Sequence, residues 1–214
     1  MDKAAALGYL HGMITNARRL ALALSAAMLA CSCVGIEADI QFTAAGSVEL
    51  AITYRVSLAV DQLGKLGANA DYLPLPVGRD DLALAATRAG GRLDSWSRRD
   101  GEADFTVSAT LTFPDGASLA AFLDPEGRLA SFQASGTTRT FTLSLSDGMP
   151  PADPEFTEFI KSAFGDYVVT VSVELPRAPS AQSGYAVSGR TATFSMPAAV
   201  LYARTEPTVL SLTW

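Results

Sequence analysis

Apolar and polar side chains alternate with a period of two residues along much of this chain. The first clear run covers Ile36 to Phe42, and after a turn at 44–47 a second run extends from Val48 to Leu58. Strict alternation predicts a β-strand with one buried face. Because the connection is short, the two runs predict an antiparallel hairpin that buries the same face of both strands.

The same alternation returns later in the chain and predicts further strands. One more hairpin is predicted where Leu93–Arg98 is joined to the next strand through Asp100-Gly101, a favourable hairpin turn. A further hairpin is predicted with its turn at Ser188-Gly189. The predicted later strands are Phe105–Phe113, Phe141–Leu145, Tyr167–Leu175, Tyr185–Val187, Thr191–Ser195 and Val209–Trp214.

Helical spacing is less common and is clearest over Pro154–Phe164. There Phe156, Phe159, Ile160 and Phe164 recur on one stripe, as expected for a helix packed on a core. Shorter helices are predicted at Asp80–Ala89, Gly116–Leu123 and Pro197–Ala203. Together the elements predict an α+β fold: an antiparallel β-sheet with one apolar face covered by a few helices, in two layers. The other face is rich in threonine and serine.

The N-terminal segment has the features of an export signal. Arg18-Arg19 is followed by an apolar run from Leu20 to Ala30 and then by Cys31-Ser32-Cys33. The run has 11 residues, whereas a membrane-spanning helix needs about 20. A small residue directly before a cysteine resembles the lipobox of bacterial lipoproteins. That resemblance implies cleavage of residues 1–30, leaving 31–214 as a single domain, with acyl chains such as palmitate on the cysteine.

Two points about this leader stay open. Cys31 follows the apolar-apolar-small triplet Met28-Leu29-Ala30 and is the preferred site of lipid attachment, with Cys33 as the alternative. Translation that begins at Met13 instead of Met1 would give a leader of more ordinary length. An ordinary secreted protein whose leader ends near cysteines is the alternative to a lipoprotein. We expect the protein to lie in the cell envelope, where the lipid would hold it to an inner or an outer membrane.

Composition narrows the chemistry of the domain. The formal net charge is −6, and no basic stripe interrupts the acidic background, so nucleic acid is not an expected partner. His11, the one histidine, lies in the leader, and the two cysteines lie at its end. A Ser-His-Asp triad, a Cys-His pair and the usual zinc sites are therefore excluded from the domain. We expect no enzyme activity, no cofactor and no metal.

Four groups of residues are candidates for a site, and each also has an ordinary structural explanation. Trp96 lies between Asp94 and Arg98 on a strand face that is otherwise polar. There it could stack on a ligand or simply be half-buried. The stripe on Pro154–Phe164 could line a lipid cavity or only fill the core. Asp80-Asp81 could bind calcium or complement a helix dipole. Glu37, Asp39 and Glu49 could form an acid/base pair or keep a hairpin face soluble.

Short blocks at both ends of the domain resemble the LppM-type lipoproteins, a bacterial envelope family. The early block is Gly46-Ser47-Val48-Glu49-Leu50, leading into Tyr54-Arg55-Val56-Ser57. The late blocks are Val171–Pro176, Ser183–Phe194 and the ending Leu210–Trp214. The resemblance implies a membrane-anchored α+β domain with a role in binding envelope lipids or glycolipids.

These observations favour a lipid-anchored, non-catalytic envelope protein that binds a lipid or glycolipid. The alternative is a structural or assembly factor that binds another envelope protein through a sheet edge or the threonine-rich face. A hydrolase that uses carboxylates alone is a third, weaker hypothesis.

Overall fold

The structure is a computed structural model that describes residues 34–58, 76–149, 158 and 166–214. The strands of the described residues are β1 (Val34–Phe42), β2 (Val48–Ser57), β3 (Arg92–Asp100), β4 (Asp104–Phe113), β5 (Ala130–Ser135), β6 (Thr138–Ser146), β7 (Val168–Glu174), β8 (Ala181–Ser183), β9 (Ala186–Ser188), β10 (Thr191–Pro197) and β11 (Thr208–Thr213). Their helices are α1 (Arg79–Arg88), α2 (Gly116–Leu123) and α3 (Ala198–Tyr202).

The strands form two sheets. The larger one, sheet A, has the order β3-β4-β2-β1-β7-β10-β9, and the smaller one, sheet B, has the order β5-β6-β11-β8. The α+β class and the single buried face of the predicted sheet are confirmed. In addition, sheet B helps to cover that face, and β1 pairs with β7 in parallel. Both features depend on contacts between segments far apart in the chain, which local alternation does not encode.

The first hairpin follows the predicted register. Phe42 pairs with Val48 at the turn, and Val34 pairs with Val56 at the far end. Gly46 takes a φ of +97° in the turn, a conformation in which a side chain would be strained. Beyond the hairpin, β2 continues the sheet through ten antiparallel pairs with β4.

One hydrophobic core lies between the inner face of sheet A and its cover of sheet B and the helices. Alternate residues of β2 and β4 are almost completely buried, among them Leu50, Tyr54, Phe105 and Phe113. Each such side chain stabilises the fold by about 1.5–3 kcal/mol through burial. Residues from both sheets and from the three described helices contribute to this core.

The predicted short helices match closely, and two strands were not predicted. Gly116–Leu123 is helical as expected, and the helix expected at Asp80–Ala89 is α1, one residue earlier at each end. Strand β5 alternates apolar and polar residues over its six positions but was not recognised, whereas β8, with three residues, is too short for a pattern to show. The leader, the lipobox and the predicted helix over Pro154–Phe164 lie outside the described residues, apart from Glu158. Across the described residues, no helix combines the length and the apolar character that crossing a membrane requires.

Candidate functional site

A groove of about 700 Å³ lies where the end of sheet A meets sheet B. We call it the aromatic groove and define it by Phe42, Phe132, Arg139, Arg177 and Trp214. The β1–β2 turn and the start of α2 complete its walls. Its volume falls in the range of small-molecule binding sites.

Aromatic rings form the floor. Phe42 stacks on Phe132 with 6.0 Å between ring centroids and only 12° between the ring planes. Trp214 lies across both, 4.7 Å from Phe42 and 6.1 Å from Phe132. Each such ring pair adds about 0.5–1.5 kcal/mol beyond simple burial. Phe42 and Trp214 are almost completely buried in this cluster, so the half-buried Phe132 supplies most of the aromatic surface that faces the groove.

Strand register explains why these rings meet. Phe132 pairs with Phe141 in sheet B, and Leu212 pairs with Phe141 from the other side. Residues directly opposite one another in antiparallel strands project from the same face. Phe132 and Phe141 therefore share the inner face, and Trp214, two residues after Leu212, continues it to the end of the sheet. Phe42 is the last residue of β1 and meets this row from sheet A.

Arg139 places a positive charge beside the aromatic floor. It is paired with Trp214, so its side chain starts from the inner face of sheet B, on the same row as Phe141. Its Nη1 donates to the carbonyl oxygens of Gly136 at 2.7 Å and Thr138 at 3.0 Å. Both acceptors are neutral, so the charge of Arg139 is not neutralised by these bonds.

Arg177 reaches the same rim from sheet A. It follows β7 after Pro176, and its Nη2 donates to the carbonyl oxygen of Thr137 at 2.8 Å. Within the described part of the chain, neither Arg139 nor Arg177 is ion-paired with a carboxylate. Two guanidinium groups therefore bracket the β5–β6 turn, and each retains donors for an anionic or hydroxylated ligand.

The start of α2 is fitted to the floor. A Cβ atom at Gly116 would lie 2.4 Å from Cδ2 of Phe132, closer than real contacts allow. The adjoining Asp115 caps α2, since its Oδ1 accepts a hydrogen bond from the backbone N–H of Ser118 at 2.8 Å. Asp115, an acidic residue of the groove lining, is thus engaged in a helix cap, and glycine at 116 leaves room for the ring.

This arrangement is suited to binding an amphipathic molecule. Rings can contact an acyl chain or the apolar face of a sugar, while the arginines can donate hydrogen bonds to a phosphate, a carboxylate or hydroxyl groups. Sequence reasoning did not identify this groove. One available signal was Arg139 itself, which occupies an apolar-face position in the alternating run Arg139, Phe141, Leu143 and Leu145.

Trp96 lies elsewhere, on β3. The expectation of a polar face was wrong, because the register shifts between Leu93 and Ser95 and turns Trp96 towards the core side, opposite Ala109. Its ring is half-buried, and its Nε1 is buried without a hydrogen-bond partner in the described part of the chain. Arg98 lies over the ring of Phe105 at 3.8 Å. Binding of a ligand by Trp96 stays a prediction.

The predicted carboxylate groups are exposed. Glu37, Asp39 and Glu49 lie on the outer face of sheet A, where Gln41 pairs with Glu49 on one side and Glu174 on the other. Asp80 and Asp81 lie in the first turn of α1, where negative charge complements the helix dipole. Among the described residues, no group of three acidic, histidine or cysteine side chains is arranged to hold a metal.

Hydroxyl groups on the outer strand faces bond to one another. Thr53 and Ser108 are 3.1 Å apart on sheet A, as are Thr170 and Ser195. Thr140 and Thr213 are also 3.1 Å apart on sheet B. The threonine-rich face thus links neighbouring strands through side chains as well as backbone.

No protein-family model matches the chain, and no curated protein matches it. Among solved structures, the chain is similar to the NMR structure of the folded domain of LppM from Mycobacterium tuberculosis. The two share 14% sequence identity over 85% of this chain and 88% of that one, with a TM-score of 0.47. The family resemblance noted from the sequence stays a prediction.

Proposed function

We propose that this protein is a lipoprotein of the bacterial envelope whose domain binds an envelope lipid or glycolipid in the aromatic groove. Residues 1–30 are its export signal, and Cys31, or alternatively Cys33, carries the lipid. The domain acts by binding and not by catalysis.

The observation that carries the proposal is the pairing of an aromatic floor with two arginines at one rim. An amphipathic ligand has an apolar part and a polar head, and the groove offers a matching surface for each. Phe42, Phe132 and Trp214 contact the apolar part, while Arg139 and Arg177 donate to the head group. The absence of histidine from residues 31–214 agrees with a role in binding.

The test uses the full chain as produced in a bacterial host and inserted into phosphatidylcholine nanodiscs. Substitution Trp96→Phe leaves Trp214 as the sole tryptophan, so its fluorescence reports on the groove. Dihexanoyl phosphatidylglycerol, added as monomers in solution, should change this fluorescence in a saturable way. The double substitution Arg139→Gln and Arg177→Gln should weaken that binding at least tenfold.

Arg99→Gln is the matched control, because Arg99 is an exposed arginine on β3, outside the groove. It should leave the Kd unchanged. Absence of saturable binding, with dihexanoyl phosphatidylglycerol and with an extract of bacterial envelope lipids, would refute lipid binding. Intact-mass analysis tests the anchor separately: a product that keeps residues 1–30 and carries no lipid would refute it.

A further inference from the structure

The two ends of β1 have different surroundings. The strand begins at Val34, three residues after Cys31, and ends at Phe42 in the groove floor. At about 3.3 Å per residue, these ends are roughly 26 Å apart. Val34 pairs with Val56 and Phe42 with Val48, so the β1–β2 hairpin spans the same length. The start of β1 and the aromatic groove therefore lie at opposite ends of sheet A.

The connection to the proposed lipid is short. Three residue steps separate Cys31 from Val34, and a fully extended chain covers at most about 3.6 Å per residue. The start of β1 is thus held within about 11 Å of the residue that carries the lipid. A tether of that length is too short for the domain to invert and bring its far end to the bilayer.

The surface near the start of β1 suits contact with a bilayer. Val168 and Val200 are 42% and 50% exposed. Val168 adjoins the first residues of β1, where its carbonyl oxygen lies 3.6 Å from the Cβ position of Gly35. Val200 lies on α3, which is joined to the same end by a hydrogen bond from the N–H of Ala198 to the carbonyl oxygen of Tyr167 at 2.8 Å.

The outer face of sheet A is much less suited to such contact. Glu37, Asp39 and Glu49 are exposed on it, and bacterial leaflets with anionic lipids repel carboxylates. Lying flat on this face would bring these charges to the head groups. The Val34 end also carries Asp100, Glu102 and Asp104, but Asp104 is ion-paired with Arg55 and Asp100 with Arg98. The two exposed valines lie at this same end.

We infer that the anchored domain stands on the Val34 end of sheet A and opens its aromatic groove away from its own bilayer. The groove then takes an amphiphile that arrives through the aqueous phase, and not one that moves laterally out of the anchoring leaflet. This inference rests on the proposed lipid anchor and deepens the proposed function by naming the side from which the ligand enters.

Depth-dependent fluorescence quenching tests the orientation. The lipidated full chain is placed in vesicles of phosphatidylcholine and phosphatidylglycerol, with and without brominated acyl chains that quench tryptophan. The variant W96F reports on Trp214 in the groove, and W96F with Val200→Trp adds a reporter near the start of β1. We expect the bromolipids to leave the W96F signal within a few per cent of its unquenched value. The added signal of Val200→Trp should fall by at least half.

Two results would overturn the inference: quenching of Trp214 as strong as that of the Val200→Trp reporter, or no quenching of that reporter. Binding of dihexanoyl phosphatidylglycerol is measured on the same vesicles. If the amphiphile binds while Trp214 is quenched by the bilayer, the orientation is wrong and the proposed function stands. If Trp214 stays unquenched and no amphiphile binds, the proposed function fails instead.

Discussion

Arg139 and Trp214 exchange both of their backbone hydrogen bonds. The N–H of Arg139 donates to the carbonyl oxygen of Trp214 at 2.7 Å, and the N–H of Trp214 donates back at 2.9 Å. Opposite residues of this kind project from the same face of a sheet. The backbone pairing itself therefore places the side chains of Arg139 and Trp214 next to each other at the groove.

The two tryptophans should contribute very differently to stability. Trp214 is 6% exposed and contacts Phe42 and Phe132, so Trp214→Ala should lower the free energy of unfolding by about 3–5 kcal/mol. Trp96 is only half-buried on an edge strand, and Trp96→Ala should cost less than half as much. Urea denaturation of both variants makes the comparison. Equal losses would contradict the packing described for Trp214.

Gly116 should be intolerant of a side chain. In Gly116→Ala the new methyl group would overlap the ring of Phe132, and the fold should lose about 1–3 kcal/mol through overpacking. Gly35→Ala is the matched control, because its Cβ would meet Tyr167 at an ordinary 3.5 Å. Thermal unfolding followed by circular dichroism measures both. If Gly116→Ala unfolds at the wild-type temperature, Phe132 does not lie where we place it.

Asp124 should make stability depend on pH. Burial alone would raise the pKa of this carboxyl, but backbone N–H groups of Leu129, Ala130, Glu126 and Arg128 stabilise its charged form and hold the pKa below the ordinary value. The bond from Ala130 is 3.0 Å long. A lowered pKa stabilises the fold above the pKa of the unfolded chain, about 3.9, and this contribution is lost as the pH falls through the folded value.

Asp124→Asn should therefore be less stable than wild type at pH 7, by about 1–3 kcal/mol, because the backbone donors lose their charged acceptor. The difference should shrink as the pH is lowered from 5 towards 3, which urea denaturation at each pH will measure. Asp80→Asn is the control, since the Asp80 side chain is 97% exposed. A difference for Asp124→Asn that stays constant down to pH 3 would contradict the assignment.

Two buried tyrosines form a matched pair for testing hydroxyl groups. The Tyr54 hydroxyl donates to the carbonyl oxygen of Pro76 and so joins the segment before α1 to sheet A. The Tyr185 hydroxyl is buried without a hydrogen-bond partner in the described part of the chain. Tyr54→Phe should lower stability by about 0.5–1.5 kcal/mol, and Tyr185→Phe should be neutral or stabilising. Chemical denaturation measures the stability of both variants. A larger loss for Tyr185→Phe than for Tyr54→Phe would contradict the hydroxyl environments described.

Local pattern was sufficient to predict most of the framework. Alternation over Val48–Leu58 and Phe105–Phe113 is imposed by one buried face, so the strands, their turns and the buried positions could be inferred residue by residue. The helix predicted at Gly116–Leu123 is α2 with the same bounds. Where the register shifts after Leu93, the expectation that Trp96 lies on a polar face was wrong, since one extra residue reverses which face a side chain takes.

By itself, the sequence determined most of the strands, the apolar face, the absence of histidine from residues 31–214 and the lipobox-like leader, because each is a property of neighbouring residues. The tertiary structure alone decided that β1 pairs with β7 in parallel, that a second sheet helps to cover the first, and that Phe42, Phe132 and Trp214 meet beside Arg139 and Arg177. These five residues are up to 172 positions apart in the chain. Their proximity follows from long-range strand pairing and packing, which nearest-neighbour periodicity does not carry.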